Sequence, residues 1–191
     1  MEYICEYKNS IPNILCNEII QLFESLENEK KEIIVSHANT SFENTNIFII
    51  PKNHEKWKRI ELFLYKEMLS KLKKYTNKHT NYINYKNFFG NNQLYAPNFV
   101  IQKCGKQKSE CQYNDDHGVE NSNLKVITFI WYLNTIDEGG DTIFWENYKV
   151  RSEQGKLLLF PSTWCYPYIC EIPISCDKYV ITGWIYEKID K

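Results

Sequence analysis

The chain has 191 residues, 43% apolar and 25% charged, with 23 basic and 24 acidic side chains and a formal charge of −1. That length suits one domain with a substantial core, and the composition argues against wholesale disorder. A near-neutral balance argues against nucleic acid as a partner, because its binding usually needs a basic face.

No run of about 18 apolar residues occurs, so no membrane span is expected. The opening Met1-Glu2-Tyr3-Ile4-Cys5-Glu6 is too charged for an export signal, so a cytoplasmic location is expected. Cysteines fall at 5, 16, 104, 111, 165, 170 and 176 with no Cys-x-x-Cys pair, which argues against structural zinc and for reduced thiols. The grouping of Cys165, Cys170 and Cys176 leaves redox sensitivity as a lesser alternative.

In chain order, the first expected element is a helix from about Pro12 to Leu26. Leu15, Ile19, Leu22, Phe23 and Leu26 share one face of it, and Asn13 is its candidate cap. A second helix is expected from His54 to Tyr75, with Trp57, Ile60, Leu64, Met68 and Leu72 on one side; its wide apolar arc suits packing on a sheet. The asparagine- and tyrosine-rich tract from Thr76 to Asn92 reads as loop with at most a short strand.

From Leu94 onward the pattern is β. Strands are expected over Leu94–Lys103, Lys125–Asn134, Thr142–Trp145, Lys156–Phe160 and Lys178–Glu187, punctuated by Gly105, Gly139-Gly140, Gly155, Pro161, Pro167 and Pro173. Helices followed by many short strands imply an α+β domain with antiparallel strands in two sheets and helices packed outside. The expected organisation is a single domain over 1–191, with a helical part at about 1–92 and a β core at about 93–191.

Three segments of the β half carry the chemistry. The first is Gln112-Tyr113-Asn114-Asp115-Asp116-His117, leading into the strand that ends Tyr132-Leu133-Asn134. The second is Glu138-Gly139-Gly140-Asp141-Thr142-Ile143-Phe144. The third is Gly155-Lys156-Leu157-Leu158-Leu159-Phe160-Pro161, followed by Tyr168 and the run from Asp177 to Trp184. In this order and spacing the chain resembles the iron(II)/2-oxoglutarate dioxygenases, in their prolyl 4-hydroxylase-like branch, strongly over residues 94 to 187 and weakly in the leading helix.

The resemblance implies a double-stranded β-helix, or jelly-roll, with N-terminal helices packed on one sheet. It also implies iron(II) held by a His-x-Asp pair and a distant His, with 2-oxoglutarate as cosubstrate and a peptide or protein as substrate. Carried over by position, Asp116 keeps the carboxylate, while Asn114 and Tyr168 replace the two histidines. Lys178, ten residues beyond Tyr168, falls where the family clamps the cosubstrate's far carboxylate, with Thr182 on the same strand face. Cys104 falls where many relatives place a tyrosine that touches 2-oxoglutarate.

An Asn/Asp/Tyr set offers only oxygen, which suits magnesium, calcium or manganese better than iron(II). His117 adjoins Asp116, so strand alternation turns it to the opposite face, and it reads as a loop histidine. His37, His54 and His79 in the helical half read as surface residues. Lys178 alternates with Val180, Thr182 and Trp184 and so faces inward, where it needs an anionic partner; that partner is either a small dicarboxylate or Asp116 itself. Three functions remain: a silent relative binding a peptide, protein or dicarboxylate, an active hydroxylase of peptidyl proline or lysine, and an unrelated sandwich binding module.

Overall fold

A computed structural model describes residues 2–28, 45–79, 94–96, 98–107, 113–114 and 116–188. His37, Cys111, Gln112, Asp115 and most of the tract from Thr76 to Asn92 lie outside the described residues. In chain order the elements are β1 (Cys5–Tyr7), α1 (Asn13–Asn28), β2 (Thr45–Ile49), α2 (Lys58–His79), β3 (Val100–Cys104), β4 (Tyr113–Asn114) and β5 (Val119–Glu120). There follow β6 (Asn123–Tyr132), β7 (Thr142–Phe144), β8 (Tyr148–Val150), β9 (Leu157–Pro161), β10 (Tyr168–Cys170) and β11 (Lys178–Lys188).

The strands form two antiparallel sheets. The larger runs β1-β9-β6-β11-β3-β2, with β5 paired to β6 near one end, and the smaller runs β4-β10-β7-β8. Strand alternation on the large sheet explains the layers. On β6, Ile127, Phe129 and Trp131 face the helices, while Ile130 and Tyr132 face the small sheet. On β9, Leu157 and Leu159 join the helical layer and Leu158 and Phe160 the inner one. Both faces of these central strands are covered, so they read as continuous apolar runs rather than as alternating ones.

The helical layer follows from the sequence pattern. Leu15, Ile19 and Phe23 of α1 are buried, as are Ile60, Leu64, Met68, Leu72 and Tyr75 of α2, with Trp57 just before it. Each such side chain contributes about 1.5–3 kcal/mol on burial. Helix α1 starts at Asn13 itself, so the cap falls one residue earlier than expected, at Pro12, whose carbonyl accepts from the Cys16 amide at 3.0 Å. Its far end is tied to β11 by the Tyr179 hydroxyl, which donates to Glu24 Oε1 at 2.6 Å.

Six strands lie outside the elements expected from sequence: β1, β2, β4, β5, β8 and β10. All are five residues or shorter, so pairing rather than composition defines them. The expected strand from Leu94 shortens to Val100–Cys104, with Tyr95 joined to Tyr186 by a single bridge. None of the six described cysteines, Cys165, Cys170 and Cys176 included, is in a disulfide.

Candidate functional site

The site is set by which residues the sheets turn inward. Residues directly opposite across an antiparallel pair point to the same side. Val180 on β11 belongs to the inner layer, so Lys178 and Thr182, two residues either way, face inward too. Cys104 is opposite Lys178 and Val100 is opposite Thr182, which places Cys104 on the inner side as well. On the small sheet, Tyr168 packs in the inner layer and is directly opposite Asn114. The six residues singled out from sequence therefore come from four strands and one loop that converge on a single interior.

Their contacts give the geometry. Asp116 Oδ2 accepts from the Tyr168 hydroxyl at 3.1 Å and from the Thr128 hydroxyl at 2.7 Å. Thr128 has spent its one hydrogen on Asp116, so the Ser162 hydroxyl 2.8 Å away donates to Thr128. The buried Trp184 indole N–H faces the same carboxylate and favours its anion, though it lies outside strict hydrogen-bond geometry. Lys125 lies over the Trp184 ring at 3.8 Å.

Burial pushes the Asp116 carboxyl above the usual carboxylate range, opposed by donation from Thr128, Tyr168 and Trp184 and by the charge of Lys125. Burial pushes the Tyr168 phenol well up, and the adjacent Asp116 adds to this, so Tyr168 stays neutral at physiological pH. A carboxyl raised in the folded state contributes stability when protonated, and that contribution is lost as pH rises through its folded value. In Asp116→Asn the side-chain oxygen still accepts from Tyr168 and Thr128 without carrying charge. The stability difference between wild type and this variant should therefore shift in favour of wild type as pH falls from about 7 to about 4, measured by urea midpoints. A shift the other way would show that the ionised carboxylate is the stabilising form.

Lys178 is buried at 2% exposure, and its ammonium meets no carboxylate among the described residues. It donates to the Gly140 carbonyl at 2.5 Å and lies 5.4 Å from the centre of the Tyr132 ring. Asp116 is not its partner, which removes the alternative of a structural Asp116–Lys178 pair. The Gly140 carbonyl also accepts from Ser152 Oγ at 2.6 Å. Gly140 reaches that orientation at φ +72°, where a Cβ would lie 2.9 Å from Ile136 Cγ2. The Gly-Gly segment is thus a bend bridged to Pro173 rather than a plain hairpin turn.

Thr182 Oγ1 donates to the Phe129 carbonyl at 3.1 Å. His117 is exposed in a loop, as its place beside Asp116 implies. Tyr168 belongs to the core, Tyr166 is half-buried against Trp145, and Trp164 is 70% exposed. Sequence reasoning missed Thr128, Ser162 and the Gly140 carbonyl. Thr128 carries one usable signal, as a hydroxyl on an otherwise apolar inner face of β6.

The chemistry of these donors can be compared with an iron(II) triad. Such a triad needs three lone pairs aimed at one point, two of them from imidazole. Here Tyr168 aims a hydrogen, not a lone pair, at Asp116, and Oδ2 already receives two hydroxyl donors. Among the described residues, no group of three or more His, Cys, Asp or Glu side chains could hold a metal ion. This donor set fits iron(II) poorly.

The sequence profile of the 2OG-Fe(II) oxygenase superfamily matches residues 99–186. Solved structures match the whole chain. The viral collagen prolyl hydroxylase from Paramecium Bursaria Chlorella virus-1, in its 2OG complex, aligns at TM-score 0.64 and 14% identity, covering 98% of this chain and 97% of that one. A Pseudomonas putida prolyl-4-hydroxylase aligns at TM-score 0.67 and 14% identity, covering 100% and 95%. A prolyl hydroxylase from Trichoplax adhaerens, in complex with a hypoxia inducible factor oxygen degradation domain peptide fragment, aligns at TM-score 0.66 and 15% identity, covering 98% and 84%. Among curated protein sequences, none is significantly similar to the chain.

Residues 99–186 thus match the 2OG-Fe(II) oxygenase superfamily, and the architecture is the double-stranded β-helix seen in the prolyl 4-hydroxylases. The family implies dependence on iron(II) and 2-oxoglutarate. No helix among the described residues is long and apolar enough to cross a membrane.

Proposed function

We propose that this chain, a single domain over 1–191, is a prolyl 4-hydroxylase-like protein whose metal triad has degenerated. It is catalytically silent and uses the retained scaffold to bind a peptide, a protein or a small dicarboxylate. In this reading Asn114, Asp116 and Tyr168 occupy the three triad positions, and Cys104, Lys178 and Thr182 line the cosubstrate end. The observation that carries it is the hydrogen bond from Tyr168 to Asp116. Two positions that would each offer a lone pair to a metal are instead joined to one another.

Lys178 supports the binding half of the reading. A buried ammonium satisfied by one carbonyl and one aromatic face keeps unspent attraction for a carboxylate. The relatives in complex with 2OG and with a peptide make a dicarboxylate and a peptide the natural candidates. Described cysteines that are not in disulfides suit a reducing, cytoplasm-like compartment.

Turnover tests this reading. Protein supplied with iron(II), ascorbate, 2-oxoglutarate and air should release no succinate above a protein-free control. Calorimetric titration should show at most weak dicarboxylate binding, and Lys178→Met should abolish it. Protein-dependent succinate release on every addition of cosubstrate would overturn the silent reading and favour an active hydroxylase with an unusual metal site.

A further inference from the structure

Away from this interior, a thiol, an imidazole and an ammonium meet where the edge strand β1 passes the last turn of α2. Cys5 is opposite Leu159, which belongs to the helical layer, so its sulfur lies on the other side of the large sheet from Lys178 and Tyr168. His79 Nε2 is 3.3 Å from Cys5 Sγ, and the Lys78 ammonium donates to the same sulfur at 3.5 Å. Tyr7, two residues along the strand, lies on the same face as Cys5. Burial, and after it the neighbouring Cys5, pushes the Tyr7 phenol up to about 12.

The imidazole is held in place by aromatic contacts. Tyr3 and Tyr75 lie 4.9 and 4.7 Å from it, centre to centre, and the Tyr75 hydroxyl donates to the Tyr3 carbonyl at 2.9 Å. This leaves Nε2 directed at the sulfur, while Nδ1 is buried with no hydrogen-bond partner among the described residues. Burial, then the neighbouring Lys78, holds His79 below the ordinary imidazole range, so at neutral pH it is a free base able to take a proton. Neutral thiol sulfur is a weak acceptor, whereas a thiolate uses both the Lys78 ammonium and the imidazolium formed when His79 takes its proton.

We propose that Cys5 is a peroxide-reactive thiol, with His79 as its proton acceptor and Lys78 as the stabilising cation, and that hydrogen peroxide oxidises it to a sulfenic acid. His79 Nε2 takes the thiol proton. The thiolate attacks one peroxide oxygen, so an S–O bond forms as the O–O bond breaks. Sulfur is oxidised by two electrons, the peroxide is reduced, and the departing hydroxide takes the proton from His79 to leave as water. Cys5 is only 6% exposed, which admits a small oxidant and excludes a bulky one. Cys165 and Cys176 are exposed and provide internal references.

The test uses the full reduced chain and hydrogen peroxide, stopped at timed intervals by denaturant containing dimedone so that trapping does not depend on access to the folded site, with adducts assigned by peptide mass spectrometry. Cys5 should trap at least about tenfold faster than Cys165 and Cys176. An aromatic disulfide reagent should reverse that order. His79→Phe keeps a ring between Tyr3 and Tyr75 but removes the proton acceptor, and should slow trapping at Cys5 about tenfold or more with the reference cysteines unchanged. Lys78→Gln, at an exposed position, should slow it by a smaller factor. The proposal fails if Cys5 in the unsubstituted protein is trapped no faster than the exposed thiols, or if neither variant changes its rate.

Discussion

The double substitution Asn114→His with Tyr168→His should create an iron(II) site where the present chain has a hydrogen-bonded knot. The two positions are directly opposite one another on neighbouring strands, and Asp116 lies within hydrogen-bond reach of the Tyr168 side chain. Imidazole at both positions supplies the two nitrogen donors that an oxygen-only set lacks. The same change removes the phenol hydrogen from Asp116 Oδ2 and frees a lone pair there. Affinity for iron(II), measured anaerobically, should rise by at least about a hundredfold, and either single substitution should give less than half of that gain in free energy. Equal affinities for the double variant and the parent would mean that these strands do not bring the three side chains to one point.

The second large effect concerns the fold that holds the site. Gly155 sits at φ +79°, and a Cβ there would lie 2.3 Å from the Ile11 carbonyl oxygen. Backbone rather than a flexible side chain would have to yield. That approach is close because the Gly155 carbonyl accepts from the Ser10 amide at 2.7 Å and the Ile11 amide at 3.0 Å, which docks the segment before α1 onto the turn before β9. Ser10 also accepts from the buried Trp131 indole at 3.0 Å and donates to Glu67 Oε1 at 2.8 Å, so the contact joins β6 to α2. Gly155→Ala combines positive φ with overpacking and should lower unfolding stability by about 3 kcal/mol. Chemical denaturation checks this, and a loss under about 1 kcal/mol would show that the turn relaxes without cost.

What the sequence disclosed, and what it concealed, follows from how each feature is encoded. Strands β6, β9 and β11 were readable because both of their faces are covered, leaving unbroken apolar runs such as Leu157-Leu158-Leu159-Phe160. The inward direction of Lys178 was readable from its alternation with Val180, and its burial agrees. Strands β4 and β10 were not readable, since two or three residues such as Tyr113-Asn114 become a strand only through the partner they meet. The same limit hid the link from Ser162 to Thr128 to Asp116, which joins segments 34 and 12 residues apart. His79 read as a surface residue because nothing near it in sequence announces Cys5, 74 residues away. Periodicity reports which face a side chain takes, and only tertiary structure reports whom it meets there.

Within the site, the sequence reading assigns Asn114 and Tyr168 to the two imidazole positions of the family triad, and the geometry adds what Tyr168 does. Tyr168 binds Asp116, Thr128 binds Asp116, and Ser162 binds Thr128, so the carboxylate is the end of a hydroxyl chain. Lys178 is held separately, on the Gly140 carbonyl. Lys178 and the hydroxyl chain on Asp116 are thus satisfied independently.

Anaerobic addition of iron(II) to the unsubstituted protein in the presence of 2-oxoglutarate tests the proposed degeneration of the triad most directly. The expected result is no visible charge-transfer band and no iron retained after dialysis. A band that saturates at one iron per chain, with the metal retained, would contradict it.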